Sequence, residues 1–324
     1  MKPDLYFRTD GSSQIGLGHL VRCISLSSAL KPFFKIHFVS MQVPEGIQEE
    51  LKSYGYCVST ISEEAEFMDR LRKGNFVVLD GYNFDAVYQR KIKSKGCYLV
   101  CIDDLHNQKF VADLIINHSP GVSEDQYEAE SHTRFALGPD YALIRPSFLN
   151  RPESHKEPDS STILICFGGS DSKNLTLHCY NVVKHFFEFK KITIITGSEY
   201  QGKNELNRLL ATDKRVQYLE AVGEVQMAEQ MRNVYTAIIP ASGILFEAIA
   251  CGTIPVSGMY TDNQQNVYSG FKTLHAFVDA GTFHAHEIEQ AIEEIQRFKK
   301  VQIIDGKSPE RFRQLFSSII SETN

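Results

Sequence analysis

The segment Arg8-Thr9-Asp10-Gly11-Ser12-Ser13-Gln14-Ile15-Gly16-Leu17-Gly18-His19 decides how this chain is read. It follows a short apolar run, Leu5–Arg8, and leads into Leu20–Leu30, where Leu20, Cys23, Leu26 and Leu30 recur at spacings of three and four. That pattern is a strand, a glycine-rich turn and a helix with one apolar face. Gly16 and Gly18 let backbone approach a ligand, and the helix start favours an anion there. The GxGxxG spacing of dinucleotide loops is absent, and the second glycine is followed directly by His19. A histidine at such a helix start can take a proton from water near neutral pH. The competing reading is an N-terminal capping or packing histidine.

Outward from this loop the same alternation repeats. Strand-like runs fall at Lys35–Ser40, Cys57–Ile61, Phe76–Asp80, Tyr98–Asp103 and Leu114–Asn117, with helix-like segments such as Gly46–Ser53 and Glu64–Arg72 between most of them. The stretch Pro146–Ser161 is rich in Pro, Ser and charge and reads as a linker. The pattern then restarts with strands at Thr162–Phe167, Ile192–Thr196, Val216–Leu219, Ala237–Pro240 and Ile254–Ser257, a helix over Asn174–Phe189, and a terminal helix over Pro309–Ser321. Short apolar strands alternating with helices predict parallel sheets covered on both faces. The expected organisation is α/β, with two doubly wound Rossmann-like domains: residues 1–148, a linker at 149–161, and 162–324. Ligands of such sheets bind outside the carboxyl ends of the strands, which places the chemistry in a cleft between the two domains.

Several other strand-end loops could serve such a site. Phe167-Gly168-Gly169-Ser170-Asp171-Ser172 could hold phosphate on backbone N–H groups, or could be a tight turn with Asp171 or Ser172 capping the helix. Pro240-Ala241-Ser242-Gly243-Ile244-Leu245-Phe246-Glu247 sets N–H groups and a hydroxyl at a helix start, with Glu247 placed to accept from ribose hydroxyls. An exposed glutamate on an ordinary helix is the equal alternative. The amides of Asn263, Gln264, Gln265 and Asn266 suit sugar hydroxyls and N-acyl groups. Asp80-Gly81-Tyr82-Asn83 and Asp103-Asp104 end first-domain strands, where turn chemistry explains them equally well.

Composition limits the function classes. The 324 residues are 42% hydrophobic and 23% charged with net charge −6, which gives no general attraction for nucleic acid or an anionic membrane. No apolar run approaches the roughly 20 residues of a membrane span. The seven cysteines are odd in number and scattered, which points to free thiols in a reducing, cytoplasmic setting. No DxD triplet occurs, so the metal–diphosphate clamp of the other large sugar-nucleotide architecture is missing. The expected reaction uses no metal and no cofactor.

Taken together these motifs resemble the PseG-type UDP-sugar hydrolases. The resemblance rests on Asp10–His19 with Arg22, on Leu137–Pro146 (close to a GxxYxxLR element), on Phe167–Thr176, on Ser242–Ala248 and on Asn263-Gln264, all in the family's order. It spans about residues 5 to 275. One departure is Ile144-Arg145-Pro146, where the family usually has Leu-Arg followed by an acidic or polar residue. The resemblance implies a GT-B fold related to the MurG glycosyltransferases, with the site facing across an interdomain cleft. It implies a UDP-linked diacetamido-trideoxy sugar (UDP-2,4-diacetamido-2,4,6-trideoxy-β-L-altropyranose) as substrate, an intermediate of pseudaminic acid biosynthesis. It implies attack of water at the anomeric carbon with inversion and release of UDP. The catalytic set it implies is His19 with Asp10, Tyr82 and Asn263. The binding set is Ser13, Gly16, Gly18, Arg22, Gly168, Gly169, Ser242, Gly243, Glu247 and Gln264. The expected partner is the small-molecule UDP-sugar, with no nucleic acid and no membrane, and with a monomer among the options. The alternatives are a MurG-like glycosyltransferase on the same fold and a non-catalytic sugar-nucleotide-binding protein.

Overall fold

The computed structural model of the protein describes residues 2–12, 15–150, 157–169, 171–210 and 212–321. It divides into two compact units: residues 1–143 with 306–324, and residues 144–305.

In unit 1 the strands are β1 (Asp4–Thr9), β2 (Lys35–Ser40), β3 (Cys57–Thr60), β4 (Phe76–Asp80), β5 (Tyr98–Ile102), β6 (Lys109–Phe110), β7 (Leu114–Asn117), β8 (Glu128–Ala129) and β9 (Arg134–Leu137). The connecting helices are α1 (Gly18–Leu30), α2 (Glu45–Ser53), α3 (Glu64–Arg70) and α4 (Ala86–Ser94). Seven strands form one sheet in the order β3-β2-β1-β4-β5-β7-β9, every pair parallel, while β6 and β8 pair separately. All five residues of β4 are buried, as a strand covered on both faces requires. The sequence pattern located six of these seven strands. It missed β9, whose short Arg-Phe-Ala-Leu run has a half-exposed face and sits at the sheet edge.

Unit 2 repeats the plan. Helix α5 (Pro146–Leu149) precedes β10 (Thr162–Cys166), α6 (Leu175–Val183), β11 (Lys191–Thr196), α7 (Lys203–Leu210), β12 (Val216–Glu220), α8 (Glu224–Arg232), β13 (Thr236–Pro240), α9 (Gly243–Cys251), β14 (Ile254–Gly258), α10 (Gln265–Thr273), β15 (Val278–Asp279) and α11 (Ala285–Glu294). The six strands run β12-β11-β10-β13-β14-β15, again all parallel. Counted within each unit, both sheets begin with the 3-2-1-4-5 order of Rossmann-like domains, which reverses between the first and fourth strands. Among the described residues, no helix is long and apolar enough to cross a membrane.

Two expected boundaries are corrected. The first 143 residues, not 148, belong to unit 1, because Phe148 of α5 is 1% exposed and α5 packs on α8 and α9. Part of the expected linker, residues 151–156, lies outside the described residues. The larger difference is α12 (Ser308–Ser321), which falls in the span 162–324 but whose docking site the sequence leaves open. Its Phe312, Phe316 and Ile319 enter the core of unit 1, with the Phe316 ring 5.9 Å from Phe34. An apolar stripe of that kind docks wherever a matching groove lies, which periodicity alone does not disclose.

Candidate active site

The strand order of unit 1 reverses between β1 and β4, so the loops leaving these two strands diverge and leave a crevice. Thr9 and Asp80 are register partners at the carboxyl ends of this pair. Helix α1 starts beside them, and its His19 and Arg22, three residues apart, project from one helix face. His19 Nδ1 lies 2.6 Å from Asp80 Oδ1. Arg22 grips the same carboxylate in a fork, Nε to Oδ2 at 3.0 Å and Nη2 to Oδ1 at 2.6 Å, and its Nη1 donates to Asp104 Oδ2 at 2.9 Å. Tyr82 donates its hydroxyl to that same Asp104 oxygen at 3.1 Å, and its ring meets the His19 imidazole edge-on, centroids 4.9 Å apart. These side chains line an open pocket whose apolar wall includes Leu79, Phe84 and Phe110.

Asp80 is fully buried and His19 is 7% exposed. Burial alone raises the Asp80 carboxyl, but Arg22 and then His19 outweigh it and hold Asp80 below the usual carboxylate range. Burial likewise opposes the charge on Arg22, and Asp80 and Asp104 more than restore it. Asp80 is therefore an anion, and this selects the histidine tautomer. Arg22 Nη2 also lies 2.7 Å from His19 Nδ1, but a proton on Nδ1 gives both cationic and neutral donors a carboxylate oxygen to point at. The proton then sits on Nδ1, the bond runs to Asp80, and Nε2 is left as the proton acceptor.

His118 lies close behind this network, fully buried, its Nδ1 accepting the Leu143 N–H at 3.2 Å. Burial and then the Arg22 charge push its pKa down to about 3. Because the unfolded chain binds this proton near pH 6.5 and the folded one does not, stability is complete above that value and falls as pH drops towards 3. The loss is up to about 1.4 kcal/mol per pH unit. Urea unfolding of His118→Asn at pH 7 and pH 4.5 should show a smaller acid loss than the wild type; equal losses would assign the slope to other groups.

The remaining expected residues of the first loop divide. Gly16 has φ +86°, a left-handed backbone that glycine permits. Gly18 opens α1, and a Cβ there would meet nothing. At Gly11 an added Cβ would run into Leu20 Cδ1, so that buried side chain would have to shift. Ser13 lies outside the described residues. Asp10 is placed differently from expectation. Its Oδ1 accepts from the Met41 and Gln42 N–H groups at 2.6 and 3.0 Å, and its Oδ2 pairs with Arg8 at 2.8 Å. It ties the end of β1 to the turn after β2 and does not line the His19 pocket.

In unit 2 the order reverses between β10 and β13, and the two expected nucleotide loops leave those two strands. Gly168 has φ +84°. A Cβ on Gly197 would fall 2.2 Å from the Gly169 carbonyl oxygen, so these two turns touch backbone to backbone. Asp171 takes the capping reading, accepting from Leu175 and Thr176 N–H at 2.8 and 2.7 Å. Ser242 precedes α9 without capping it through its side chain, and Gly243 is the first helical residue. Glu247, expected either to accept from ribose or to be an exposed glutamate, is 3% exposed and held in a fork by Arg145, Nε–Oε1 2.7 Å and Nη2–Oε2 3.0 Å. Gln264 is buried and accepts the Tyr260 N–H at 2.8 Å, whereas Asn263 is exposed and accepts from Thr261 Oγ1 at 2.7 Å. The site residues that sequence reasoning left unassigned are Asp80, Asp104 and His118. The signal available for the first two was a strand-end carboxylate in a sheet whose order had not been established.

No protein-family model matches the chain. It is 25% identical over 323 residues to protein MJ1062 of Methanocaldococcus jannaschii; the match covers 90% of this chain and 66% of that protein, so the chain spans just under two thirds of this relative. It is 25% identical over 267 residues to the UDP-2,4-diacetamido-2,4,6-trideoxy-beta-L-altropyranose hydrolase of Campylobacter jejuni, covering 80% of this chain and 93% of that enzyme. Among solved structures, Acinetobacter baumannii MurG superposes with a TM-score of 0.61 at 12% identity, covering 97% of this chain and 95% of MurG. The S. aureus MnaA–UDP structure gives 0.66 at 11%, covering 99% and 97%. The chain thus has the GT-B fold, built from two Rossmann-like domains, and resembles a PseG-type UDP-sugar hydrolase over most of its length.

Proposed function

We propose that the protein hydrolyses a UDP-linked sugar, with His19 as the base that deprotonates water. The observation that carries this reading is the His19–Asp80 pair: a buried anion 2.6 Å from Nδ1 fixes the tautomer and leaves Nε2 as acceptor at a sheet switch point. A residue that merely capped α1 would have no need of a fully buried carboxylate held in place by an arginine fork. Similarity to the Campylobacter jejuni hydrolase over 93% of its length supports the same class.

In this reading the water oxygen bonds to the anomeric carbon and its proton passes to His19 Nε2. The bond from that carbon to the diphosphate oxygen breaks, and its electron pair leaves with UDP. The sugar inverts at that carbon. Unit 2 supplies the nucleotide elements: the Gly168-Gly169 turn and the start of α9 at Ser242-Gly243 for the diphosphate, and Glu247 for ribose. Tyr82, Asn263 and Gln264 are assigned to the sugar. Asp10 is left out of the catalytic set because its carboxylate is already engaged. The preferred substrate is UDP-2,4-diacetamido-2,4,6-trideoxy-β-L-altropyranose, as an intermediate of pseudaminic acid or a related nonulosonic acid. The reaction runs in the cytoplasm and needs no metal, the leaving charge being met by helix starts and hydrogen bonds.

The test is incubation with this UDP-sugar in ¹⁸O-water without any acceptor. UDP should be released with the label in the free sugar and none in UDP. Label in UDP would mean attack at phosphorus and would overturn the mechanism. UDP released only after an acceptor is added would replace hydrolysis by glycosyl transfer.

A further inference from the structure

Arg145 and Glu247 are separated by 102 positions in sequence and meet in a two-point contact inside unit 2. The Glu247 side chain is 4% exposed and that of Arg145 17%, so the arginine is the outer partner. The arginine is itself held. Its guanidinium lies 4.8 Å above the ring of Phe148, which is buried against α8 and α9. Ser147, two residues after Arg145, donates its N–H to Glu224 and accepts from Arg232 through its carbonyl. The segment carrying Arg145 is thus fastened through Ser147 and Phe148 of its short helix, which holds the guanidinium against the Glu247 carboxylate.

A forked guanidinium occupies one lone pair on each carboxylate oxygen and leaves each oxygen a second one. It also compensates a charge that burial would otherwise disfavour. We propose that Arg145 is a positioning residue for ribose recognition: its fork fixes the Glu247 carboxylate and turns the remaining lone pairs to a hydroxyl of the nucleotide's ribose. This rests on the reading that unit 2 holds UDP. Arg145 acts through the carboxylate, so its removal should change which nucleotide is preferred, and not only how tightly nucleotides bind.

The experiment is calorimetric titration of the full chain with UDP and with 2′-deoxy-UDP. Wild type should prefer UDP by about tenfold, the worth of one hydrogen bond to a charged acceptor. Glu247→Gln and Arg145→Gln should bring the two affinities within about threefold. Arg145→Lys should fall between, because an ammonium restores charge but lacks the planar fork. A wild-type UDP preference in either Arg145 variant would overturn the proposal, so Arg145→Lys carries the test alone if Arg145→Gln does not fold. Tighter UDP binding in Arg145→Gln would overturn it as well, since the arginine would then be competing with ribose for Glu247. Equal binding of both nucleotides by wild type would remove Glu247 as a reader of the 2′-hydroxyl. Binding of neither would instead remove the assignment of UDP to unit 2.

Discussion

Replacing His19 by alanine should lower turnover of the UDP-sugar by about 10²–10⁴-fold while leaving UDP affinity within a few-fold of wild type. The expected size is that of a general base removed from its proton. The separation of the two effects follows from the contacts. Asp80 keeps its arginine fork when the imidazole goes, so the buried charge stays paired and the local fold is kept. The nucleotide elements assigned to UDP belong to the other unit. Steady-state UDP release and calorimetric UDP binding on the same preparation decide the matter. A joint loss of turnover and UDP binding would make His19 a binding or folding residue, and retained turnover would remove it from the mechanism.

Asp80→Asn should be damaging in two ways at once. Oδ1 of the aspartate accepts from His19 and Arg22, and Oδ2 accepts from Arg22 Nε. An amide has one oxygen, so whichever way it turns, its NH₂ group faces a donor. Arg22, 9% exposed, is then left with Asp104 as its remaining carboxylate partner. Breaking a buried pair in this manner costs about 3–5 kcal/mol, and the lost tautomer control should lower turnover by about 10²-fold or more. Chemical unfolding and turnover, measured side by side, should both fall. A variant of full stability and full rate would mean that Asp80 neither orients His19 nor neutralises Arg22. The pH dependence has a definite sign. Asp80 in the fold titrates below its ordinary value near 3.8, so its contribution is complete above that pH and is lost as pH falls through the depressed value. That low-pH loss, below about pH 4, should be absent from Asp80→Asn.

Much of this arrangement was legible in the sequence because it is local. The glycine turn, the helix after it and the shared face of His19 and Arg22 all follow from spacings within one segment, and the structure has them where the pattern puts them. The partner of His19 was not legible in the same way. Asp80 is 61 residues away and reads as half of an Asp-Gly turn until β4 is known to lie beside β1. Asp10 shows the converse. It stands next to the glycines in sequence, but its carboxylate is used by backbone N–H groups from the turn after β2, a neighbour created by strand pairing. Glu247 was read as either a ribose acceptor or an exposed glutamate, and its cationic partner comes from a motif about a hundred residues earlier. Helix periodicity and turn chemistry are short-range signals, whereas the ionic partners of a buried carboxylate are chosen by the order of strands.

The return of α12 to unit 1 bears on how the molecule is made. The core that positions β1 and β4 includes Phe312, Phe316 and Ile319, which follow all of unit 2 along the chain. Unit 2 is continuous in sequence, so a ribosome delivers it whole before it delivers the helix that completes unit 1. Until then Phe34 and Phe76, which pack against Phe316, are missing part of their cover. The nascent chain therefore carries a sticky aromatic groove throughout synthesis of its later half, and the groove that holds the histidine's scaffold together is the last to be closed.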